Sequence, residues 1–337
     1  MSAALVIQTS FLGDMVLTTP LLAELARRGP VDVVATPANA PLLANNPAVR
    51  EVIPFDKRRT ARGLRGLART AARLRDGGYD AAYLAQGSMR SATLARLALI
   101  PERVGFESSA GRWLYTCRIP YRDDLHHAER LWQLAMAPGT RAPGEGLRPR
   151  LYPGAEQQAA VDAMLRGSAA EQAPFVAMAP GSVWATKRWP WYAELAQRVA
   201  AEHPIVVVGA AVDGDLARAI ASVAPGRVLD ATGRLSLLAS AELIRRAMVL
   251  VTNDSAPMHL ASAMDTPTLA IFGPTVPEFG FGPLATDTRT LGHETLACRP
   301  CDRHGPPECP LGHWRCMRDF TPDAATAALR QLVLLRS

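Results

Sequence analysis

VTNDSAPMHLASAMDTPTLAIFGPT, residues Val251 to Thr275, decides how this chain is read. The apolar run Met248 to Val251 leads into Asn253, Asp254 and Ser255, whose side-chain oxygens suit a helix N-terminus. Pro257 follows at an early helical position, where its missing N–H costs nothing. Leu269 to Phe272 is a short apolar run of buried-strand type, closed by Gly273-Pro274. The expected order is strand, polar turn, short helix, strand and a second polar turn. Such a βαβ unit sets backbone N–H groups and the positive end of a helix dipole beside the carboxyl end of a strand. That is an anion site suited to a phosphate or diphosphate.

Upstream of this unit the same alternation repeats. Phe175 to Ala179, Ile205 to Gly209 and Val228 to Asp230 read as strands. Helices are expected around Tyr192 to Ala201, Leu216 to Val223 and Leu237 to Ala247. The first half opens with a strand at Ala4 to Gln8, a tight turn and a helical pattern through Arg28. Strand-like runs follow at Val31 to Ala35, Val52-Ile53 and Tyr79 to Ala85, with helical patterns at Arg62 to Arg75 and Ser91 to Leu99. Strands alternating with helices predict parallel, doubly wound α/β sheets. The chain therefore reads as two Rossmann-like domains facing across a cleft, with ligands at the carboxyl ends of strands. The Pro, Gly and Arg-rich stretch from Pro138 to Pro153 is the linker, giving domains over 1–153 and 154–322. An apolar helical tail over 323–337 is expected to pack back on the domains.

A length of 337 residues exceeds what one compact core usually holds, in keeping with two domains. With 48% hydrophobic and 20% charged residues, the composition is that of a soluble globular protein. The N-terminus MSAALVIQTSFLGD lacks the basic segment of a signal peptide, and no apolar run is long enough to span a bilayer, so a cytoplasmic location is expected.

The net charge of +6 is concentrated. Lys57 to Arg75 holds no acidic residue, and Arg58, Arg62, Arg65, Arg69 and Arg73 recur at helical spacing, with Leu64, Leu67, Ala71 and Leu74 on another face. A solvated outer face and a patch for an acidic acceptor or an anionic membrane both fit this pattern. Nucleic acid is disfavoured, because no aromatic residues interleave the arginines for stacking.

Four places carry candidate chemistry. The first βα turn, QTSFLGDMVLTTP, puts Ser10, Gly13 and Asp14 at the carboxyl end of the first strand. Asp14 suits a helix N-cap on its own, and a general base on an acceptor hydroxyl if the strand end lines a cleft. In APGSVWATKRWPWY, Thr186, Lys187 and Arg188 follow a strand between tryptophans, and cations there suit a diphosphate leaving group. Asp213-Gly214-Asp215 has the DxD form of some metal-dependent transferases, yet capping accounts for it fully. Asp213 also stands where nucleotide folds meet a ribose hydroxyl. In CRPCDRHGPPECPLGHWRC, Cys298 and Cys301 have knuckle spacing, while Cys309 and Cys316 are set wider apart. A structural zinc and a reduced, packed loop fit equally. His126, His127, Glu129 and Arg130 form a polar cluster before a helical run at Leu131 to Ala137, read by default as a surface helix start.

Together QTSFLGDMVLTTP, APGSVWATKRWP, TGRLSLLASAELI (Thr232 to Ile244) and the opening stretch through GPT resemble the ADP-heptose:lipopolysaccharide heptosyltransferases of glycosyltransferase family nine. The tail CPLGHWRCMRDFTP looks like the second-heptose branch of that family. The resemblance implies a GT-B fold and an inverting, metal-independent transfer of heptose from ADP-heptose to an inner-core sugar hydroxyl of lipopolysaccharide, with no cofactor required. It implies Asp14 as catalytic base and Lys187, with Thr186 beside it, as the diphosphate contact. Asp254, Ser255, Ala256 and His259 match the donor-binding turn, Ala256 replacing a family glycine. Arg58 and Arg59, with Ser10 and Gly13, match acceptor-side positions. A peripheral place on the cytoplasmic face of the inner membrane would follow from the acceptor.

Overall fold

The computed structural model describes residues 3–57, 59, 63–143 and 147–334. The chain divides into two compact units, Met1–Tyr152 and Pro153–Ser337, each built on its own six-stranded sheet.

In the first unit the strands are β1 (Ala4–Gln8), β2 (Val31–Ala35), β3 (Glu51–Pro54), β4 (Ala81–Leu84), β5 (Glu102–Phe106) and β6 (Cys117–Ile119). The main helices are α1 (Leu12–Ala26), α2 (Gly63–Asp76), α3 (Met89–Leu97) and α4 (His127–Gln133). All neighbouring strands run parallel, in the order β3-β2-β1-β4-β5-β6. Helices cover the sheet, so central strands such as Leu5-Val6-Ile7 are buried on both faces and read as unbroken apolar runs. Leu67, Ala71 and Leu74 of α2 pack with Leu5, Ile7, Val34 and Leu84. One charge is built into this layer. Burial alone would raise the Asp32 carboxyl, but Arg50 at 2.9 and 2.6 Å and the Tyr79 hydroxyl at 2.6 Å hold it below the usual carboxylate range.

The second unit opens with α5 (Ala155–Leu165) and α6 (Ala169–Gln172). Its strands are β7 (Val176–Ala179), β8 (Ile205–Val207), β9 (Val228–Asp230), β10 (Val249–Asn253), β11 (Thr268–Phe272) and β12 (Thr288–Gly292). Between and after them lie α7 (Tyr192–Val199), α8 (Gly214–Val223), α9 (Leu237–Arg246), α10 (Ala256–Met264), α11 (Arg315–Arg318) and α12 (Pro322–Leu334). The order β12-β11-β10-β7-β8-β9 is the first unit's order over again. Each unit is a Rossmann-like doubly wound sheet with its switch point between the first and fourth strands, β1 and β4 in one, β7 and β10 in the other. These are the two Rossmann-like units of the GT-B type that the sequence predicts. The tail helix α12 belongs to the second unit, where Leu329 and Leu332 join the core of Val176, Met178, Val251 and Ile271.

Several local expectations change. Strands β5, β6 and β12 and helix α5 were not expected. The polar His126-to-Arg130 cluster does not precede its helix: His126 is the N-cap of α4 and the others lie within it. Leu64, expected on the apolar face of α2, is exposed, because the buried stripe begins only at Gly66 and Leu67. Arg58 and Arg62 lie outside the described residues.

Candidate active site

In the first unit, β1 ends at Gln8, and only Thr9, Ser10 and Phe11 separate it from α1. Phe11 is the N-cap residue, in extended conformation, with no side-chain cap bond. Asp14 is therefore not the cap. It lies in the first turn of α1, where the helix dipole favours its negative charge. The Ser10 hydroxyl donates to Asp14 Oδ2 at 2.5 Å, and His127 Nε2 stands 3.9 Å from Oδ1. Asn39 donates to the Ser10 carbonyl at 2.9 Å, and Gln8 accepts from the Ser10 N–H at 3.2 Å, which holds the turn. Lys57 Nζ donates to the Thr9 carbonyl at 3.1 Å, so an ammonium reaches the same strand end from beyond β3. Gly13 is buried in the first turn. Arg59 is exposed, with its backbone N–H on Asp56 at 3.0 Å.

The helix continues through Pro20 without a lost partner. Pro20 cannot donate to the Val16 carbonyl, and the Thr19 hydroxyl does so instead at 2.8 Å. The segment LTTP thus keeps α1 intact behind Asp14.

In the second unit the switch point is stitched by Asn253, a fully buried residue closing β10. Its amide donates to the carbonyl of Pro180 at 2.8 Å, and its oxygen accepts from the Trp189 N–H at 3.1 Å. The next residue, Asp254, receives Lys187 Nζ and the Thr275 hydroxyl on one oxygen, each at 2.6 Å. Lys187 is 8% exposed and Thr186 2% exposed, so the lysine is a buried cation, while Arg188 beside it is exposed. Ser255 caps α10 in extended conformation, with Ala256 and Pro257 opening the helix. His259 is buried on the same helix. Asp213 accepts from the Ala210 N–H at 2.9 Å, and its carboxyl lies hard against Gly181 and Gly209. A Cβ at Gly181 would stand 2.4 Å from that carboxyl, so the strand end can come this close only with glycine there.

The cysteine-rich loop is tied to this site. The Thr186 hydroxyl donates to the Pro306 carbonyl at 2.5 Å, and a Cβ on Gly305 would lie 2.9 Å from Lys187 Cε. Arg299 donates to the carbonyls of Gly273 at 2.6 Å, Thr275 at 3.0 Å and His293 at 3.0 Å, pinning the turn after β11. Cys298, Cys301, Cys309 and Cys316 lie within electrostatic reach of one another, with Cys298 Sγ 3.7 Å from His313 Nε2. All are free thiols, and among the described residues no three His, Cys, Asp or Glu side chains are grouped to hold a metal ion. Cys316 is buried in the core beneath, while Cys301 is exposed. Burial pushes the Cys316 thiol up to about 11. Burial also acts upward on Cys309, but the N–H groups of Trp314, Leu311, His313 and Gly312 outweigh it and hold that thiol below its ordinary value.

Most of the expected site residues thus stand at the two strand-end addresses. Asp14, Ser10 and Gly13 share the first, while Thr186, Lys187, Asp254 and Ser255 share the second, with Asp213 alongside. The sequence reading missed Lys57, Asn253, Thr275 and Arg299, and it did not place His127. Thr275 ends the opening motif and was its available signal; Arg299 was masked by the cysteines around it. No helix among the described residues is long and apolar enough to cross a membrane.

The chain is similar to known proteins over nearly its whole length. The model of glycosyltransferase family 9 (heptosyltransferase) matches residues 67–311. Lipopolysaccharide heptosyltransferase 2 of Salmonella typhimurium is 31% identical, covering 98% of each chain. Lipooligosaccharide heptosyltransferase 2 of Haemophilus influenzae is 28% identical over 98% of this chain and 99% of its own. The solved ADP-heptose lps heptosyltransferase II of E. coli superposes with a TM-score of 0.83 at 27% identity, over 100% of this chain and 99% of the other. The E. coli heptosyltransferase WaaC solved with ADP gives 0.73 at 20% identity, over 98% of this chain and 99% of the other. The family match over residues 67–311 and the 31% identity over nearly the full length place the chain in a family of enzymes: it belongs to glycosyltransferase family 9, the heptosyltransferases.

Proposed function

We propose that this enzyme transfers heptose from ADP-heptose to an inner-core sugar hydroxyl of lipopolysaccharide, with inversion at the anomeric carbon and without a catalytic metal. The observation that carries the reading is Lys187, a buried ammonium held by Asp254 at the switch point of the second unit. An ammonium fixed there meets the charge that grows on a departing diphosphate, and the N-terminus of α10 adds backbone N–H groups. Asp213 takes the ribose contact, as acidic residues do at that point of nucleotide folds. Thr186, Ser255, Ala256 and His259 complete the donor turn. Asp254 acts through Lys187, since its contacted oxygen is already occupied by Lys187 and Thr275.

In the first unit Asp14 removes the acceptor proton as the acceptor oxygen bonds to the anomeric carbon and the carbon–diphosphate bond breaks. Direct displacement of this kind inverts the centre, through a transition state of oxocarbenium character. Ser10, Gly13, Lys57, Arg58 and Arg59 receive the acidic acceptor. The exposed arginines of α2 rest on an anionic membrane at the cytoplasmic face of the inner membrane.

A donor screen tests the reading. Purified protein with lipopolysaccharide whose inner core stops at a single heptose should release ADP from ADP-heptose, retain that activity in EDTA, and release neither UDP nor GDP from their sugar conjugates. Faster release of UDP or GDP would replace the donor assignment, and loss of turnover in EDTA would end the metal-free mechanism.

A further inference from the structure

We infer that His127 is a positioning residue for Asp14, holding one oxygen of the catalytic carboxylate while Ser10 holds the other; this rests on Asp14 being the base of the proposed reaction. His126 and Arg130 of the segment HHAER are both spent on structural contacts. His126 caps α4, its Nδ1 accepting the Ala128 N–H at 3.2 Å. Arg130, 1% exposed, donates to the carbonyls of Arg122 at 2.6 Å and Asp123 at 2.7 Å and to the Tyr121 hydroxyl at 2.9 Å. Its guanidinium also lies 4.9 Å from the centre of the Tyr121 ring. These contacts lock the short helix to the segment before it, and α4 packs along α1. His127, between the two anchors, brings Nε2 to 3.9 Å from Asp14 Oδ1, within ion-pair reach and longer than a hydrogen bond.

The chemistry of the pair gives this placement a purpose. A carboxylate swings about its last bond unless both oxygens are engaged, and a base is effective only when its lone pair is aimed at the proton it takes. Ser10 bonds one carboxylate oxygen at 2.5 Å, and His127, 3.9 Å from the other, is near enough to engage it with a small shift as the acceptor arrives, leaving a lone pair for the acceptor hydroxyl. The arrangement is the usual logic of a catalytic base oriented by a third group, with the carboxylate as base and the imidazole as orienter. His127 touches neither donor nor acceptor in this assignment.

The test compares His127→Leu and His127→Gln in ADP release from ADP-heptose. His127→Leu removes the N–H at similar bulk and should lower kcat about tenfold to a hundredfold, the scale of a misplaced catalytic group, with the acceptor KM and ADP affinity changed less than about twofold. His127→Gln, which carries an N–H to a similar reach, should recover most of that loss. On an Asp14→Asn background, His127→Leu should cost nothing further, because its effect runs through the missing carboxylate. A kcat for His127→Leu within twofold of the parent, a glutamine variant no better than leucine, or an equal loss on both backgrounds would overturn the assignment. Should His127→Leu fail to fold, His127→Asn replaces it: a rate tenfold below His127→Gln supports the reach argument, and equal rates overturn it. Full activity of Asp14→Asn would instead overturn the base itself, an outcome separate from any result at His127.

Discussion

Lys187 and Asp254 meet at 2.6 Å inside the second unit, both nearly buried, with the Thr275 hydroxyl sharing the same carboxylate oxygen. A buried ion pair of this kind gives little net stability when complete, yet removing one partner strands the other charge. Asp254→Ala should therefore destabilise the protein by about 3–5 kcal/mol. Denaturant titration measures this, and a loss under about 1 kcal/mol would mean that water reaches the pair and screens it.

Lys187→Met tests the ammonium in catalysis; because it also strands the Asp254 charge, turnover is read on variant protein that circular dichroism shows to be folded. The methionine fills the stem's volume against Gly305 without the charge, so turnover should fall by about a hundredfold to a thousandfold, the range for one lost charge-stabilising donor. Single-turnover kinetics at saturating donor is the readout. An unchanged rate would remove the ammonium from the leaving-group role.

Asp14→Asn keeps the shape of the first turn and the Ser10 contact while losing the basic lone pair. We expect kcat to drop by at least about a hundredfold with ADP affinity intact. Calorimetry on the same variant checks the second half, since weaker ADP binding would point to a folding defect in place of lost base catalysis.

Gly181→Ala would place a methyl group 2.4 Å from the Asp213 carboxyl, a distance no real contact sustains. Either strand end or carboxyl must shift, and ADP affinity should weaken by about tenfold, the scale of one lost or misplaced polar contact. ADP binding equal to the parent's would detach Asp213 from the ribose.

The thiols should separate by reactivity. Cys309 is held below its ordinary pKa, so at pH 8 more of it is thiolate, while Cys316, raised to about 11, stays protonated and buried. Iodoacetamide at that pH should modify Cys309 well before Cys316, followed by peptide mass spectrometry. Equal rates would show that the loop opens on the labelling timescale.

Much of this fold was legible because parallel strands buried on both faces leave unbroken apolar runs, as at Val31–Ala35 and Ala4–Gln8, whose bounds the structure reproduces. β5 was missed because ERVGF carries two charges and a glycine at the sheet's far side, and β12 because TRTLG is half exposed. The candidate site was legible where a polar or charged residue closely follows a strand in the sequence, as at Asp14, Lys187 and Ser255. His127 was not, since its meaning depends on α4 packing along α1, more than a hundred residues away in sequence. Arg299 was hidden for a similar reason: its partners are backbone carbonyls, which no side-chain pattern announces.

The repeated strand order puts the loop after the first strand of each sheet at equivalent addresses. In one unit that loop is only Thr9, Ser10 and Phe11, and it delivers a carboxylate; in the other it runs from Pro180 to Trp191 and delivers an ammonium. One address thus supports opposite charges according to how much chain is spliced into it. The charge such a chain presents at a strand end is set by the length of chain inserted there, with the sheets left untouched.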